Sequence, residues 1–366
     1  FEDYTGIGDA QSNPGQNVAR ICYLNDIDSG RILKRYPANN TTASNMDSET
    51  VRDTDLYAYA FDTDNDGKSD YLHIAGSASM ETNWSGKTSV PWDELRGTLT
   101  KVRLEDDVQS VGPYAFTDCT ALKYIRIGTN ASVIKQSAFA GCSALENMSI
   151  SVKSLRNDLT STSNLFVGTG SKENGFAVVF EDTAEVVPNY MFQNCENLTN
   201  LTFGKNVQAI NQYAFAGCVG LKSVYIKSDA ITTSDPKVFT NAGTASGGFT
   251  VEIAANVTKI PAYLFNSTDG NPFVTRVFAD TGSYLDTIGA SAFSGCNMLA
   301  SAEFANCGKL QYINAAAFQD CTRLVTADFS NCPELLNIEN DTFNGCLNLA
   351  DFSISNDEKI DKIGDR

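Results

Sequence analysis

The sequence predicts a solenoid of about ten stacked coils, with a parallel β-sheet, short helical or turn segments between strands, and a small N-terminal β domain capping the first coil. Three observations predict this fold. A motif of nearly constant spacing recurs through about three quarters of the 366 residues, apolar and polar residues alternate within it, and hydrophobic residues make up 42% of the chain. We therefore expect the cap over residues 1–92 and the solenoid over residues 93–366.

The repeated unit has the frame I-x4-F-x2-C-x2-L-x5-[IF]. Seven stretches follow it: 111–127, 134–150, 187–203, 210–226, 288–304, 313–329 and 338–354. Three degenerate copies are centred on Phe166, Phe239 and Phe265, with Gly, Ser and Thr in the Cys-x-x-Leu step, and they predict longer coils with protruding loops. The ten central phenylalanines lie 23 to 28 residues apart. Such a period is typical of a repeat protein.

The frame has a direct physical interpretation. In Leu221-Lys-Ser-Val224-Tyr-Ile226 the last positions alternate between apolar and polar, as in a strand with one buried face. The A-F-x-G-C segment before it is too short for a long helix, so it predicts a turn or a brief helical piece that carries Phe inward. One unit cannot bury its apolar face alone, so we expect the units to stack and the phenylalanines to form a continuous ladder.

Cysteines recur with the same period. Seven of the ten occupy one repeat position, and Cys307 and Cys332 recur at a second. This recurrence predicts a buried ladder, because a free cysteine behaves as a small hydrophobic residue. A disulfide or a metal site stays open as an alternative, although zinc is disfavoured by the absence of any C-x-x-C pair and by the single histidine.

The frame, with its Ile-Gly or Ile-Pro starts, resembles the BspA-like leucine-rich-repeat family of bacterial surface proteins over residues 93–366. The segment from Phe61-Asp-x-Asp to Pro91-Trp92 is similar to the cap that this family often carries, although the acidic turn here is longer and about 55 unfamiliar residues precede it. The resemblance implies a leucine-rich-repeat solenoid. It also implies an extracellular or cell-surface location and a role in adhesion or contact with host molecules.

Four further expectations concern the N-terminal region and the C-terminal end. Residues 21–33 predict two strands around an Asp-Ser-Gly turn, residues 38–54 a mobile loop, and residues 55–61 and 71–74 a hairpin. At the other end, Ile363-Gly364 matches the start of a unit, as in Ile288-Gly289, and the next ladder Phe is due two positions beyond Arg366. We therefore expect the array to continue past the C-terminus with another repeat or a cap.

The segment from Asp62 to Asp70 reads Asp-Thr-Asp-Asn-Asp-Gly-Lys-Ser-Asp. Oxygen ligands at positions 1, 3, 5 and 9, with Gly at position 6, match the front of a calcium loop. Position 12 is His73 instead of Glu, and no helical pattern flanks the loop. An acidic hairpin turn is therefore favoured. A Ca²⁺ site stays open as the alternative, with the candidate ligands Asp62, Asp64, Asp66 and Asp70.

No catalytic residues are expected. His73 is the only histidine, so any Ser-His-Asp or Cys-His mechanism would require it. It alternates with Leu72 and Ile74 on a predicted strand, which favours an outward-facing structural residue. No phosphate loop or dinucleotide motif occurs. We therefore expect a protein that binds and does not catalyse.

The net charge and the exposed strand positions indicate which classes of partner the protein binds. The formal charge of −17 argues against nucleic acid and anionic membrane surfaces, and no apolar run is long enough for membrane insertion. The frame places Tyr124, Arg126 and Tyr225 on the exposed strand face, and these residue types often anchor interfaces. We expect a monomeric extracellular adhesion protein that contacts a protein partner. The alternative is a carbohydrate-binding module for mucin or plant glycans, which would need aromatic platforms.

Overall fold

The computed structural model describes residues 32–38, 56–80, 83–156, 159–231, 237–266, 273–354 and 360–365. Two short 3₁₀-helices, Lys87–Ser89 and Asp93–Leu95, lie between the cap and the solenoid. The strands, in chain order, are β1 (Ile32–Pro37), β2 (Tyr57–Phe61), β3 (Tyr71–Ala75), β4 (Lys101–Leu104), β5 (Ser110–Val111), β6 (Tyr124–Ile127), β7 (Val133–Ile134), β8 (Asn147–Ile150), β9 (Phe176–Phe180), β10 (Val186–Val187), β11 (Leu198–Phe203), β12 (Ala209–Ile210), β13 (Ser223–Ile226), β14 (Phe249–Ile253), β15 (Lys259–Ile260), β16 (Val274–Ala279), β17 (Thr287–Ile288), β18 (Ser301–Glu303), β19 (Tyr312–Ile313), β20 (Thr326–Phe329), β21 (Asn337–Ile338), β22 (Asp351–Ile354) and β23 (Lys362–Ile363).

One fourteen-stranded sheet runs the length of the described chain in the order β1-β2-β3-β4-β6-β8-β9-β11-β13-β14-β16-β18-β20-β22. The pairs β1–β2 and β2–β3 are antiparallel, and every later neighbour is parallel. The remaining two-residue strands form three small parallel sheets, one strand to a coil. The predicted parallel solenoid is therefore confirmed.

The cap strands continue the solenoid sheet, because β3 pairs in parallel with β4 of the first coil. The hairpin predicted from residues 55–61 and 71–74 is confirmed as β2–β3. Most of the segment predicted as two strands, 21–33, and most of the predicted loop, 38–54, lie outside the described residues.

The predicted phenylalanine ladder forms the core. Successive rings stack from Phe116 to Phe343, with centroids 4.4 to 5.7 Å apart, at spacings close to the distance between neighbouring strands. Trp92 extends the ladder by stacking on Phe116 at 6.0 Å, and Trp84 meets Trp92 edge to face. The two tryptophans therefore cover the first ring of the ladder.

The segments that carry the phenylalanines are turns and not helices. In nine of the ten coils the residue two before the ladder Phe has a positive φ between 47° and 62°, although none of the nine is glycine. The residue two after the Phe also has a positive φ in nine coils, and it is always Gly, Asp or Asn. Because these residues are the ones that tolerate the left-handed region best, the Gly of the A-F-x-G-C segment is explained by backbone conformation.

The nine described cysteines are free thiols; eight are buried, and Cys346 is partly buried. The predicted buried ladder is confirmed, while Cys22 lies outside the described residues. The thiols also have a polar role. Cys142 and Cys218 each donate to the carbonyl oxygen of the ladder Phe in the preceding coil, with sulfur–oxygen distances of 3.1 Å. Thr169 replaces Cys in a degenerate coil and donates to Phe139 in the same way at 2.8 Å.

Arg96 fastens the first coil to the residues before it. Its side chain is buried, and it donates to the carbonyl oxygens of Lys87, Tyr114 and Thr117. It also pairs with Asp93 at 2.7 Å. These bonds satisfy the buried guanidinium and join the 3₁₀-helices to the turn of the first coil.

Candidate functional site

The polar side of the fourteen-stranded sheet, which we call the outer face, faces away from the phenylalanine ladder. Strand register aligns its residues in two unbroken rows. The first row is His73, Arg103, Arg126, Ser149, Val179, Thr202, Tyr225, Glu252, Phe278, Glu303, Asp328 and Ser353. The second row is Tyr71, Lys101, Tyr124, Asn147, Ala177, Asn200, Ser223, Thr250, Arg276, Ser301, Thr326 and Asp351.

Charge is distributed unevenly along the outer face. The basic side chains of the first row, Arg103 and Arg126, lie on β4 and β6. Its acidic side chains lie on β14, β18 and β20: Glu252, Glu303 and Asp328. The arginines near the cap are each paired with a carboxylate, Arg103 with Glu105 and Arg126 with Asp106. The acidic side chains of the row lie in the second half of the sheet, which we call the acidic half (β13 to β22).

A shallow groove of about 380 Å³ lies in the acidic half across β16, β18 and β20. In it, Arg276 binds both carboxylate oxygens of Glu303, with Nε 2.7 Å from Oε1. The Arg276 guanidinium also lies 4.2 Å from the centre of the Phe278 ring. The bidentate pair and the cation–π contact hold these side chains in place. The lining residues are Arg276, Phe278, Ala279, Ser301, Glu303, Ala305, Thr326 and Asp328.

Two carboxyl groups meet beside this groove. Burial, a hydrogen bond with Asp280 and the negative charge of Asp280 together raise the pKa of Glu252. Tyr225 donates its hydroxyl to Asp280 Oδ2 at 2.9 Å, and burial together with this bond raises the pKa of Tyr225 to about 12. The Glu252–Asp280 pair is a place where a cationic group from outside would be favoured.

The predicted partner-binding residues lie on the outer face but do not form one cluster. Tyr124 is 37% exposed, and its hydroxyl donates to Glu146 at 2.9 Å. Arg126 pairs with Asp106 at 2.9 Å. Tyr225 is four strands further along the sheet, on β13, so only Tyr124 and Arg126 are neighbours.

The groove residues Arg276 and Phe278 were missed by the sequence analysis. They lie on β16, which follows the degenerate copies centred on Phe239 and Phe265, where the Cys-x-x-Leu step is absent. The segment Val274-Thr-Arg276-Val277-Phe278 gives no clear alternation, because the strand register shifts by one residue between Val274 and Arg276.

Asp62, Asp64 and Asp66 form a cluster in the turn between β2 and β3, with one carboxylate oxygen of each within 4.8 Å of the others. Asp70 has a different role from the one that the calcium-loop pattern gave it. Its carboxylate accepts hydrogen bonds from the N–H and the hydroxyl of Thr63, at 2.7 and 2.5 Å. It therefore closes the turn, and the carboxylates that lie within 4.8 Å of one another are those of the other three aspartates.

His73 lies in the first row of the outer face, so its side chain points away from the ladder as expected. Neighbouring side chains nevertheless cover it: it is only 9% exposed, and its Nε2 lies 3.0 Å from Glu105 Oε1. Its Nδ1 lies 3.4 Å from the Tyr71 hydroxyl. Within the described residues, no serine or cysteine is hydrogen-bonded to the histidine, so no nucleophile–base pair is assembled there.

The comparisons with known proteins agree with this architecture. The BspA type leucine rich repeat region matches residues 95–166, 162–278 and 279–366, and the chain therefore belongs to this family. No curated protein matches the chain. Within the described ranges, no helix is long and apolar enough to cross a lipid bilayer.

Several solved bacterial structures are similar to this chain. A leucine-rich repeat protein from Eubacterium ventriosum is 16% identical over 90% of this chain and 93% of its own, with a TM-score of 0.37. A leucine rich cell surface protein from Faecalibacterium prausnitzii is 18% identical over 83% and 94%, with a TM-score of 0.29. A leucine-rich repeat protein from Bacteroides ovatus is 19% identical over 87% and 91%, with a TM-score of 0.31.

Proposed function

We propose that this protein is a non-enzymatic, extracellular binding protein that contacts a protein partner through the acidic half of its outer face. The observation that supports this most is the groove, where Arg276, Glu303 and Phe278 are fixed against one another and still line a concave surface. Arginine and aromatic side chains held in this way are typical of interface anchors, because they lose little conformational freedom on binding.

The charges of this surface favour a partner segment that carries Lys or Arg. Asp328 has no ion pair in the described part of the chain, and Glu252 faces another carboxyl group, Asp280. A basic side chain placed between Glu252 and Asp280 would relieve their repulsion. Complementary charge of this kind raises the association rate and selects the partner.

The experiment is a pull-down from purified host matrix and cell-surface proteins, followed by a measured Kd for each captured protein. Glu252→Gln with Asp280→Asn should weaken binding at least tenfold, and Phe278→Ala should weaken it by a similar factor. The matched control, Glu173→Gln with Asp361→Asn, removes the same charge from exposed positions elsewhere. Equal loss in the control, or a partner that binds all variants equally, would contradict the proposal.

A glycan is the second candidate, and one observation favours it. Tyr114, Tyr190, Tyr213 and Tyr263 all occupy the position two before a ladder Phe, and the Tyr190 and Tyr213 rings stack at 5.5 Å. Repeated tyrosines could supply the aromatic platform that a sugar requires. A glycan array run beside the pull-down separates the two candidates, since Tyr213→Ala should affect only sugar binding.

A further inference from the structure

The turn over residues 62–70, which we call the acidic turn, contains four aspartates and a single lysine, Lys68. Asp64 and Asp66 are exposed, and each accepts a backbone N–H two residues later, at 3.2 and 2.8 Å. In the described part of the chain, none of the carboxylates of Asp62, Asp64 and Asp66 has an ion pair. Three like charges with oxygens within 4.8 Å repel one another, and a divalent cation between them would remove that repulsion.

Asp62 gives the second, independent observation. Its side chain is only 7% exposed, and Oδ2 accepts the N–H of Gly67 at 2.9 Å, whereas Oδ1 is buried and has no hydrogen-bond donor. A buried carboxylate oxygen without a hydrogen-bond donor is an unfavourable arrangement unless another group binds it.

We propose that Asp62, Asp64 and Asp66 bind a Ca²⁺ ion. Carboxylate oxygens are the donors that hard cations prefer, and Ca²⁺ accepts irregular sets of ligands that water can complete. Gly67, at φ 86°, allows the backbone to turn directly after the third aspartate. Asp70 is left out of this set because its carboxylate is not among those clustered within 4.8 Å, and it accepts hydrogen bonds from Thr63.

The position of the acidic turn gives the ion a structural consequence. The end of the turn is joined to the first coil, because the Thr98 hydroxyl donates to the Ser69 carbonyl at 2.7 Å and the Thr100 N–H donates to the Asp70 carbonyl at 2.7 Å. An ion that orders the turn therefore holds the β2–β3 hairpin against the solenoid. Calcium should protect this junction and leave distant coils unaffected.

The test uses the full chain, freed of metal with a chelator and titrated with CaCl₂ or MgCl₂ in a calorimeter. We expect one Ca²⁺ site, with a Kd on the order of 10⁻⁴ to 10⁻³ M as in extracellular modules, and weaker binding of Mg²⁺. Hydrogen exchange measured by mass spectrometry should slow within residues 57–75 and 98–104 on addition of Ca²⁺. Residues 288–354 should show no change. The proposal would be overturned if about 10 mM Ca²⁺, tenfold above the upper Kd, produced neither heat nor a change in hydrogen exchange.

Variants separate this site from diffuse binding to an acidic surface. Asp64→Asn with Asp66→Asn keeps both hydrogen-bond acceptors and should reduce the affinity for Ca²⁺ at least tenfold. Glu173→Gln with Asp361→Asn makes the same change in charge at exposed positions and should leave the affinity unchanged. Equal losses in the two variants, retained binding in the first, or equal affinity for Mg²⁺ would each overturn the assignment.

Discussion

At the scale of single residues, the repeated cysteine has one property that the sequence predicts, its burial, and one that the sequence does not predict, its hydrogen bond. Its period predicted a buried, small side chain, and that is confirmed. The hydrogen bond from Cys218 to the carbonyl of Phe192 was not predicted. The acceptor is a backbone atom one coil earlier, and spacing alone carries no information about it. The bond also explains why Thr169 can replace the cysteine, because a hydroxyl donates to the same acceptor.

The first prediction concerns the reactivity of these thiols. Burial raises the pKa of Cys119 to about 12, so its thiol is protonated at neutral pH and no reagent reaches it in the folded chain. Alkylation under native conditions, followed by mass spectrometry, should leave the eight buried cysteines unmodified. The same reagent in guanidinium chloride should label them all. If most of these cysteines were paired as disulfides, the prediction of a buried ladder of free thiols would be wrong.

At the scale of elements, one coil consists of a strand, a pair of left-handed turn residues and a ladder Phe. The sequence predicted the strand and the Phe, since both have a clear period. It did not predict the positive φ at Ser137, Tyr213 or Ala316, because nothing in those side chains favours it. Stacking of the coils imposes that conformation. The N–H of Tyr190, which also has a positive φ, for example donates to the carbonyl oxygen of Gln212 in the next coil at 3.1 Å. Tertiary contacts outweigh local preference here.

The second prediction tests the ladder. Phe215 is fully buried and stacks on Phe192 and Phe239, so Phe215→Ala should lower the free energy of unfolding by about 3–5 kcal/mol. Leu347 is 83% exposed, and Leu347→Ala should change it by less than about 0.5 kcal/mol. Chemical denaturation of both variants measures the difference. Similar small effects at the two positions would be inconsistent with a continuous core.

At the scale of the whole molecule, the cap and the solenoid share one sheet. The sequence predicted a cap and a solenoid, but not the pairing of β3 with β4, because long-range register is not encoded in a local pattern. The groove was missed for a related reason. Its strand β16 follows coils in which the frame breaks, so the frame does not assign Arg276 and Phe278 to the outer face.

The third prediction concerns acid stability at the joint between cap and solenoid. Burial opposes ionisation of Glu105, but the hydrogen bond from His73 and the nearby Arg103 outweigh it and lower the pKa of Glu105 from 4.5 to about 2. The folded pKa is depressed, so this stabilisation is present above pH 4.5 and is lost as the pH falls toward 2. Its size is on the order of 3 kcal/mol.

Glu105→Gln should therefore lower the melting temperature at pH 7, and the difference from the unmodified chain should shrink between pH 4.5 and pH 2. Glu173→Gln, at an exposed position, should show no such convergence. Melting curves recorded by circular dichroism across this pH range measure both variants. A difference that does not depend on pH would rule out the ionised Glu105 as its source.

The register of the outer face also has an evolutionary consequence. Phe293, Phe318 and Phe343 are 25 residues apart, and β18, β20 and β22 pair without any shift. Recombination that removes or duplicates one such unit in a gene would rejoin strands in phase, leaving every remaining contact between coils intact. Each event would shorten or lengthen the outer face by one residue in each row. Unequal crossing-over in the gene could therefore change the length of the outer face while the encoded protein still folds at each step.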